Sequence, residues 1–357
     1  MCVYVRARMR PSFHLSNRRT ALAALATALV VGACSSGGAN HASTSSAGAG
    51  AGAGAATATT TAAPGRQAVV RATLAGWRLP APLSRPAVAV ADGRIFLLGG
   101  LAAGDVSTPR VVSVDPATGQ SSVAGTLAVA VHDAAGAAVG GVPTVFGGGG
   151  ARTIDAVQAF QAGAGHVTAH LPRPRSDLAS ASGDGSAFVV GGFDGGALTP
   201  DVLATTDATH FRTVARLSQG VRYAAVAAVG HSLWVIGGQT GTAEGATGTE
   251  VDLIQRVDID SGQSMVVGHL PHRLAHAMAF VLGGELYLAG GRTATAPLTD
   301  VLAISGDGTA APVGNLPGPR ADAGVAVVGD TAWLLGGETT GPAAALASVV
   351  AVSRSGG

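Results

Sequence analysis

The sequence predicts an all-β chain made of six copies of a four-stranded unit, a β-propeller, and three observations carry that expectation. First, an apolar run meets a pair of glycines six times: "RIFLLGG" (Gly99, Gly100), "TVFGG" (Gly147, Gly148), "AFVVGG" (Gly191, Gly192), "LWVIGG" (Gly237, Gly238), "LYLAGG" (Gly290, Gly291) and "AWLLGG" (Gly336, Gly337). The first glycines are 48, 44, 46, 53 and 46 residues apart, a period that belongs to solenoids and propellers. Second, an aromatic residue stands three positions before the first glycine at Phe96, Phe188, Trp234, Tyr287 and Trp333; Thr144 is the exception, with Phe146 nearby to compensate. Third, the repeat region lacks the 3.6-residue periodicity of amphipathic helices, which excludes helical repeats of similar length.

Each unit reads in the same order. A small apolar run such as "RPAVAVADG" (85–93) leads through a Gly/Asp turn into the diglycine strand. A loop rich in Gly, Thr and Ala follows, then a β-branched run such as "RVVSVDPATGQ" (110–120), whose Asp, Pro and Gly mark a hairpin into a weaker last strand. Radial repetition of such units leaves few exposed strand edges. The glycines fit where a strand bends, takes positive φ or lets another backbone approach.

An Arg or similar residue opens an inner strand about fifteen residues before an aromatic, two aliphatics and Gly-Gly. This pattern resembles the Kelch repeat family, over about residues 68 to 357. The resemblance implies a six-bladed Kelch-type propeller related to the central domain of galactose oxidase. The family's outer-strand Trp survives only as Trp77, and the second unit lacks the usual Leu-Pro-x-x-Arg approach. After the sixth diglycine only "ASVVAVSR" (347–354) remains, one strand short of a blade. The stretch "VVRATLAGWRL" (69–79) is expected to supply that strand and close the ring.

The front of the chain is of a different kind. Residues 1–33 hold five arginines, no acidic residue and the apolar run "ALAALATALVVGA" (21–33), too short to span a bilayer but suited to a secretory signal peptide. It ends in "VGAC", which resembles a bacterial lipobox and implies lipidation of Cys34. The run of Ala, Gly, Ser and Thr over 34–67 cannot bury enough apolar surface to fold and reads as a disordered tether. The expected localisation is therefore extracytoplasmic, anchored to the bacterial cell membrane by Cys34. "SNRRTAL" (16–22) leaves Sec and Tat export both open.

The net charge of +1 becomes −4 without the five arginines of 1–33, and lysine is absent. That balance argues against nucleic acid or anionic lipid headgroups as partners, leaving membrane contact to the lipid anchor. Cys2 falls in the signal and Cys34 at the lipid site, so no thiol remains for a disulfide, a metal site or a nucleophile.

In a four-stranded blade, the connections entering the innermost strand emerge on one face together with those between the second and third strands. The residues opening the inner strands share that face: Arg85, His132 with Asp133, Arg175 with Asp177, Arg222 with Tyr223, Arg273 with His276, and Arg320 with Asp322. Two roles are open for them, a polar binding ring at the channel mouth or bridges that join blades and satisfy loop carbonyls. "HLPHRLAH" (269–276) spans a loop and a strand start, where its histidines do not share a face, and "DIDSG" (258–262) aligns with a hairpin. No metal or cofactor is expected.

Copper-radical chemistry of the galactose oxidase type lacks its cysteine and tyrosine pair. Glycoside hydrolysis needs two facing carboxylates, and the four glutamates, Glu244, Glu250, Glu285 and Glu338, form no visible pair. The expected function is non-catalytic binding of a protein or cell-envelope component. The alternatives are a carbohydrate or small ligand at the mouth, or a sugar-modifying, mutarotase-like enzyme. An apolar patch on the loop face would favour a protein partner; an Arg/Glu pair within reach of one pocket would favour an enzyme.

Overall fold

A computed structural model describes residues 69–241, 249–340 and 344–355. The proposed signal peptide, Cys34, the tether and Glu244 lie outside the described residues.

Every named element among them is a β-strand. In the first repeat, Ala87–Ala91, Arg94–Leu98, Arg110–Val114 and Ser121–Thr126 pair antiparallel in sequence order. The inner pair alternates buried and half-buried side chains, as a sheet covered on both faces demands. The third repeat (Ala179–Gly183 to Arg212–Arg216) and the fifth (Met278–Leu282 to Ala310–Asn315) form separate four-stranded sheets of the same order. The fourth adds a two-residue strand, Gln239–Thr240, to make five. The second repeat (Ala135–Val139 to Ala164–His170) has the same four-strand order but shares one eight-stranded path with the first, joined by a single parallel bridge between Thr126 and Ala164. The result is a propeller-like arrangement of small sheets.

The N-terminal strand closes the set. Val70–Arg78 pairs antiparallel with Ser348–Arg354, Val70 opposite Arg354 and Leu74 opposite Val350, and so completes the sheet of the sixth repeat. Trp77 packs on Trp333 at 5.3 Å between ring centroids and over the hairpin glycine Gly119, where a Cβ would strike its indole. One apolar cluster joins Leu79, Leu83, Ile95 and Leu97 to Leu335 and Val349, tying the last repeat to the first.

The diglycines explain how the sheets meet. The second glycine's N–H donates to a backbone carbonyl of the next repeat in all six cases: Gly100 to Val131, Gly148 to Arg175, Gly192 to Val221, Gly238 to Leu274, Gly291 to Arg320 and Gly337 to Leu83, at 2.7–3.0 Å. The first glycine abuts the same carbonyl at positive φ, so a side chain there would collide and be strained. In the second repeat Phe146, fully buried and on the same strand face as Thr144, supplies the missing aromatic and meets Phe211 edge-on at 6.0 Å.

A Cβ at Gly237 would lie 2.5 Å from the Leu274 carbonyl oxygen at φ +62°. Gly237→Ala is therefore expected to cost about 2 kcal/mol or more in denaturant unfolding. Gly318→Ala, in open space, should stay within about 0.5 kcal/mol of the parent.

Candidate functional site

Six residues lie fourteen positions before the first glycine of each pair: Arg85, Asp133, Asp177, Tyr223, His276 and Asp322. Each has φ between +49° and +61°, the left-handed region that non-glycine residues seldom occupy. This turn carries each into a chain of backbone hydrogen bonds around the axis. Arg85 N–H donates to Asp322 C=O, Asp322 to His276, His276 to Tyr223, Tyr223 to Asp177 and Asp177 to Asp133, at 2.8–3.0 Å. The six line a polar depression of about 140 Å³ at one end of the axis. Beneath it runs a bore of about 590 Å³ walled by small residues such as Val88, Ala138, Ser180 and Val226.

The side chains interlock. Arg85 reaches Asp133 at 3.2 Å, Glu338 at 3.4 Å and Asp322 at 3.6 Å, and lies 5.7 Å from the Tyr223 ring centre. His276 stacks on Tyr223 with centroids 4.1 Å apart. Its Nδ1 lies 2.7 Å from Asp322 Oδ1, and Arg292 approaches its Nε2 at 3.1 Å. A guanidinium only donates, so Nε2 accepts and Nδ1–H points to Asp322. Arg292 also donates to Glu338 at 2.9 Å.

Burial sets the electrostatics. Burial pushes Asp177 up to about 7, helped by the nearby Asp133 charge and opposed by Arg222. Glu338 is likewise raised to about 7, by burial and then by Asp322, against Arg85 and Arg292. Burial works against ionisation of Asp322 too, but His276 and Arg85 hold it well below the usual carboxylate range. Burial, then Asp133 and Asp177, raise the Tyr223 hydroxyl. For Arg85, burial favours the neutral form, yet its carboxylate partners outweigh it and the net shift is upward. Glu338 Oε2 and Asp322 Oδ2 are both buried with no other side chain or backbone N–H among the described residues donating to them, and the two carboxyls share a hydrogen bond when Glu338 holds its proton.

Five of the expected ring residues sit elsewhere. Arg175 and Arg320, sixteen positions before the glycine, point into their own sheets. Arg175 donates to the carbonyls of Gly191 and Asp201, and Arg320 to those of Gly336 and Ser348. Burial lowers both guanidiniums to about 10. They satisfy backbone oxygens where the other repeats carry Leu83, Val131, Val221 and Leu274, all buried. Arg273 ends an outer strand, exposed and away from the depression. His132 turns behind the ring to Ser107 Oγ at 2.8 Å, and Arg222 buttresses Asp177 from behind at 3.5 Å.

Two contributors, Arg292 and Glu338, were not expected. Both directly follow a diglycine, and backbone bridges to Ala275 and Ala321 hold them beside the ring. Glu250 lies in the strand Thr249–Asp258 and accepts from Gln239 at 3.2 Å. The assembled group offers carboxylates that accept from hydroxyls, guanidiniums that donate to them, and a flat Tyr223–His276 platform.

A carboxyl raised by burial binds a proton in the folded chain that the unfolded chain has released. Folding stability therefore falls as pH rises from about 4 to about 7 through Asp177 and Glu338, and levels above that. Thermal unfolding across this window should show the slope, and the double variant Asp177→Asn, Glu338→Gln should flatten it. An equal slope in the variant would remove these two groups as its source.

No protein-family model and no curated protein matches the chain. Among solved structures the chain is similar to one titled "Structure of YjhT", with 16% identity and a TM-score of 0.63, covering 78% of this chain and 99% of that one. At that identity the likeness carries the β-propeller fold alone.

Proposed function

We propose that the chain is a six-bladed, Kelch-like propeller whose channel mouth binds a small, hydroxyl-rich ligand such as a sugar or a cell-envelope fragment. The count of six takes the eight-stranded path as two blades joined by one bridge. The observation that carries the binding reading is the convergence of one residue per repeat, at the same offset and in the same strained backbone state, on a single polar depression. Strain and buried charge of this kind gather where a fold positions a ligand. A protein partner has less support: among the described residues the large exposed apolar side chains, such as Leu74, Val123, Val167 and Met265, stand mainly on outer strands rather than around the mouth.

A ligand at a hundred times its dissociation constant adds about 2.7 kcal/mol of stability. Thermal unfolding of the full chain against sugars and cell-wall fragments should find a shift, and Arg292→Gln or Tyr223→Phe should diminish it. No shift across the panel would return the case to a protein partner. The Arg292–Glu338 pair, with Glu338 near 7, supports a second reading in which the site also transfers a proton to or from a sugar hydroxyl. Proton-exchange NMR of a bound sugar, with Glu338→Gln as control, separates binding from catalysis.

The localisation belongs to the same proposal: a signal peptide over 1–33, a lipid on Cys34, a tether to residue 67, and the propeller outside the cytoplasmic membrane. The basic start, the apolar run and "VGAC" support it. Cys34→Ala should move the protein from the membrane fraction to the soluble one, and continued membrane fractionation would exclude the anchor.

A further inference from the structure

A second cavity, of about 380 Å³, opens on the face opposite the mouth, between the fourth and fifth repeats. Trp234, Leu286 and Ile304 give it apolar walls, while Glu285, Ser305 and Thr309 stand at its edge. Trp234 is the aromatic of the diglycine strand; Arg256 of its own sheet lies over it at 5.9 Å from the ring centre, and three of its counterparts have a bulky apolar neighbour. Phe96 meets Phe160 at 6.1 Å, Trp333 meets Trp77 at 5.3 Å, and Ile259 packs on the cluster containing Phe188. In the second repeat Phe146, in place of the aromatic, meets Phe211.

The fifth repeat differs from the third and fourth in its hairpin. Where the third repeat has Phe211 and the fourth Ile259, it reads "SGDGTAA" (305–311), with no large side chain to set against Trp234. The slot has Trp234, Leu286 and Ile304 for its apolar walls, and no second aromatic ring stands among its lining residues. Its edge also has a preference. Glu285 is half exposed, accepts a hydrogen bond from the Tyr287 hydroxyl and pairs with Arg354 at 3.5 Å. A carboxylate has lone pairs to spare beyond these two contacts, so a donor on the ring's rim meets an acceptor there. Aromatic rings with a polar handle suit a site with one dry wall and one wet edge.

We propose that this cavity binds a flat aromatic ring bearing an N–H or O–H donor, of the indole or phenol type, independently of the mouth.

The test uses the full chain and indole as probe, followed by saturation-transfer NMR and calorimetry. One saturable site is expected, with 1-methylindole, which lacks the donor, binding at least threefold more weakly. Gly306 lines the cavity at an ordinary φ and a Cβ there would meet open space. Gly306→Phe is therefore expected to raise the melting temperature and weaken indole at least tenfold, whereas Tyr223→Phe at the mouth should leave indole binding unchanged. Absence of saturable indole binding to the wild-type chain would overturn the proposal, as would equal affinity for cyclohexane. Binding lost in Tyr223→Phe but kept in Gly306→Phe would place indole at the mouth and also overturn it.

Discussion

The hydrogen bond from the second glycine of each pair to the next repeat's carbonyl is the constraint on which the rest of the structure depends. It joins successive sheets at the narrow inner end, where the first glycine lies against the same oxygen. A Cβ at that point has nowhere to go, so glycine here follows from close approach as well as from positive φ. The apolar clusters fill the wider spaces that this contact leaves between repeats. The sixth bond, Gly337 to Leu83, and the pairing of Val70–Arg78 with Ser348–Arg354 connect the end of the chain to its beginning by the same physics.

The site follows from that contact. Two residues beyond the accepting carbonyl, the chain enters the left-handed region and turns one side chain per repeat toward the axis. Because the backbone hydrogen bonds of these residues are made to one another, their side chains are free to vary without loss of the frame. The frame carries Arg, Asp, Asp, Tyr, His and Asp in turn. A repeated scaffold thus presents a non-repeated surface, as expected where loops on a rigid fold carry function.

That surface is expensive. Four carboxyl groups and three guanidiniums crowd one end of the axis, and burial together with Asp322 raises Glu338. Breaking up such a cluster leaves uncompensated charge, yet an apolar replacement of similar volume is often no less stable. Stability alone therefore gives little reason for these residues.

By itself the sequence determined the period, the diglycine contacts and the closing strand, because each depends on glycine, aromatic and β-branched residues whose spacing is visible in one dimension. The six axis residues were also within its reach: all share one offset from the glycine, while Arg175 and Arg320 share another. Only the tertiary structure decided which offset faces the axis. Sixteen residues before the glycine the side chain enters the sheet, and two positions later a change in the sign of φ turns it out. Arg292 and Glu338 were beyond the sequence for a different reason: their equivalents are Leu101, Gly149, Phe193 and Gln239, and no repeated chemistry marks the position. Their part in the site arises from isolated backbone bridges to Ala275 and Ala321, at the entry to the inner strand of the same repeat, which fix where the side chain lands once that repeat has folded.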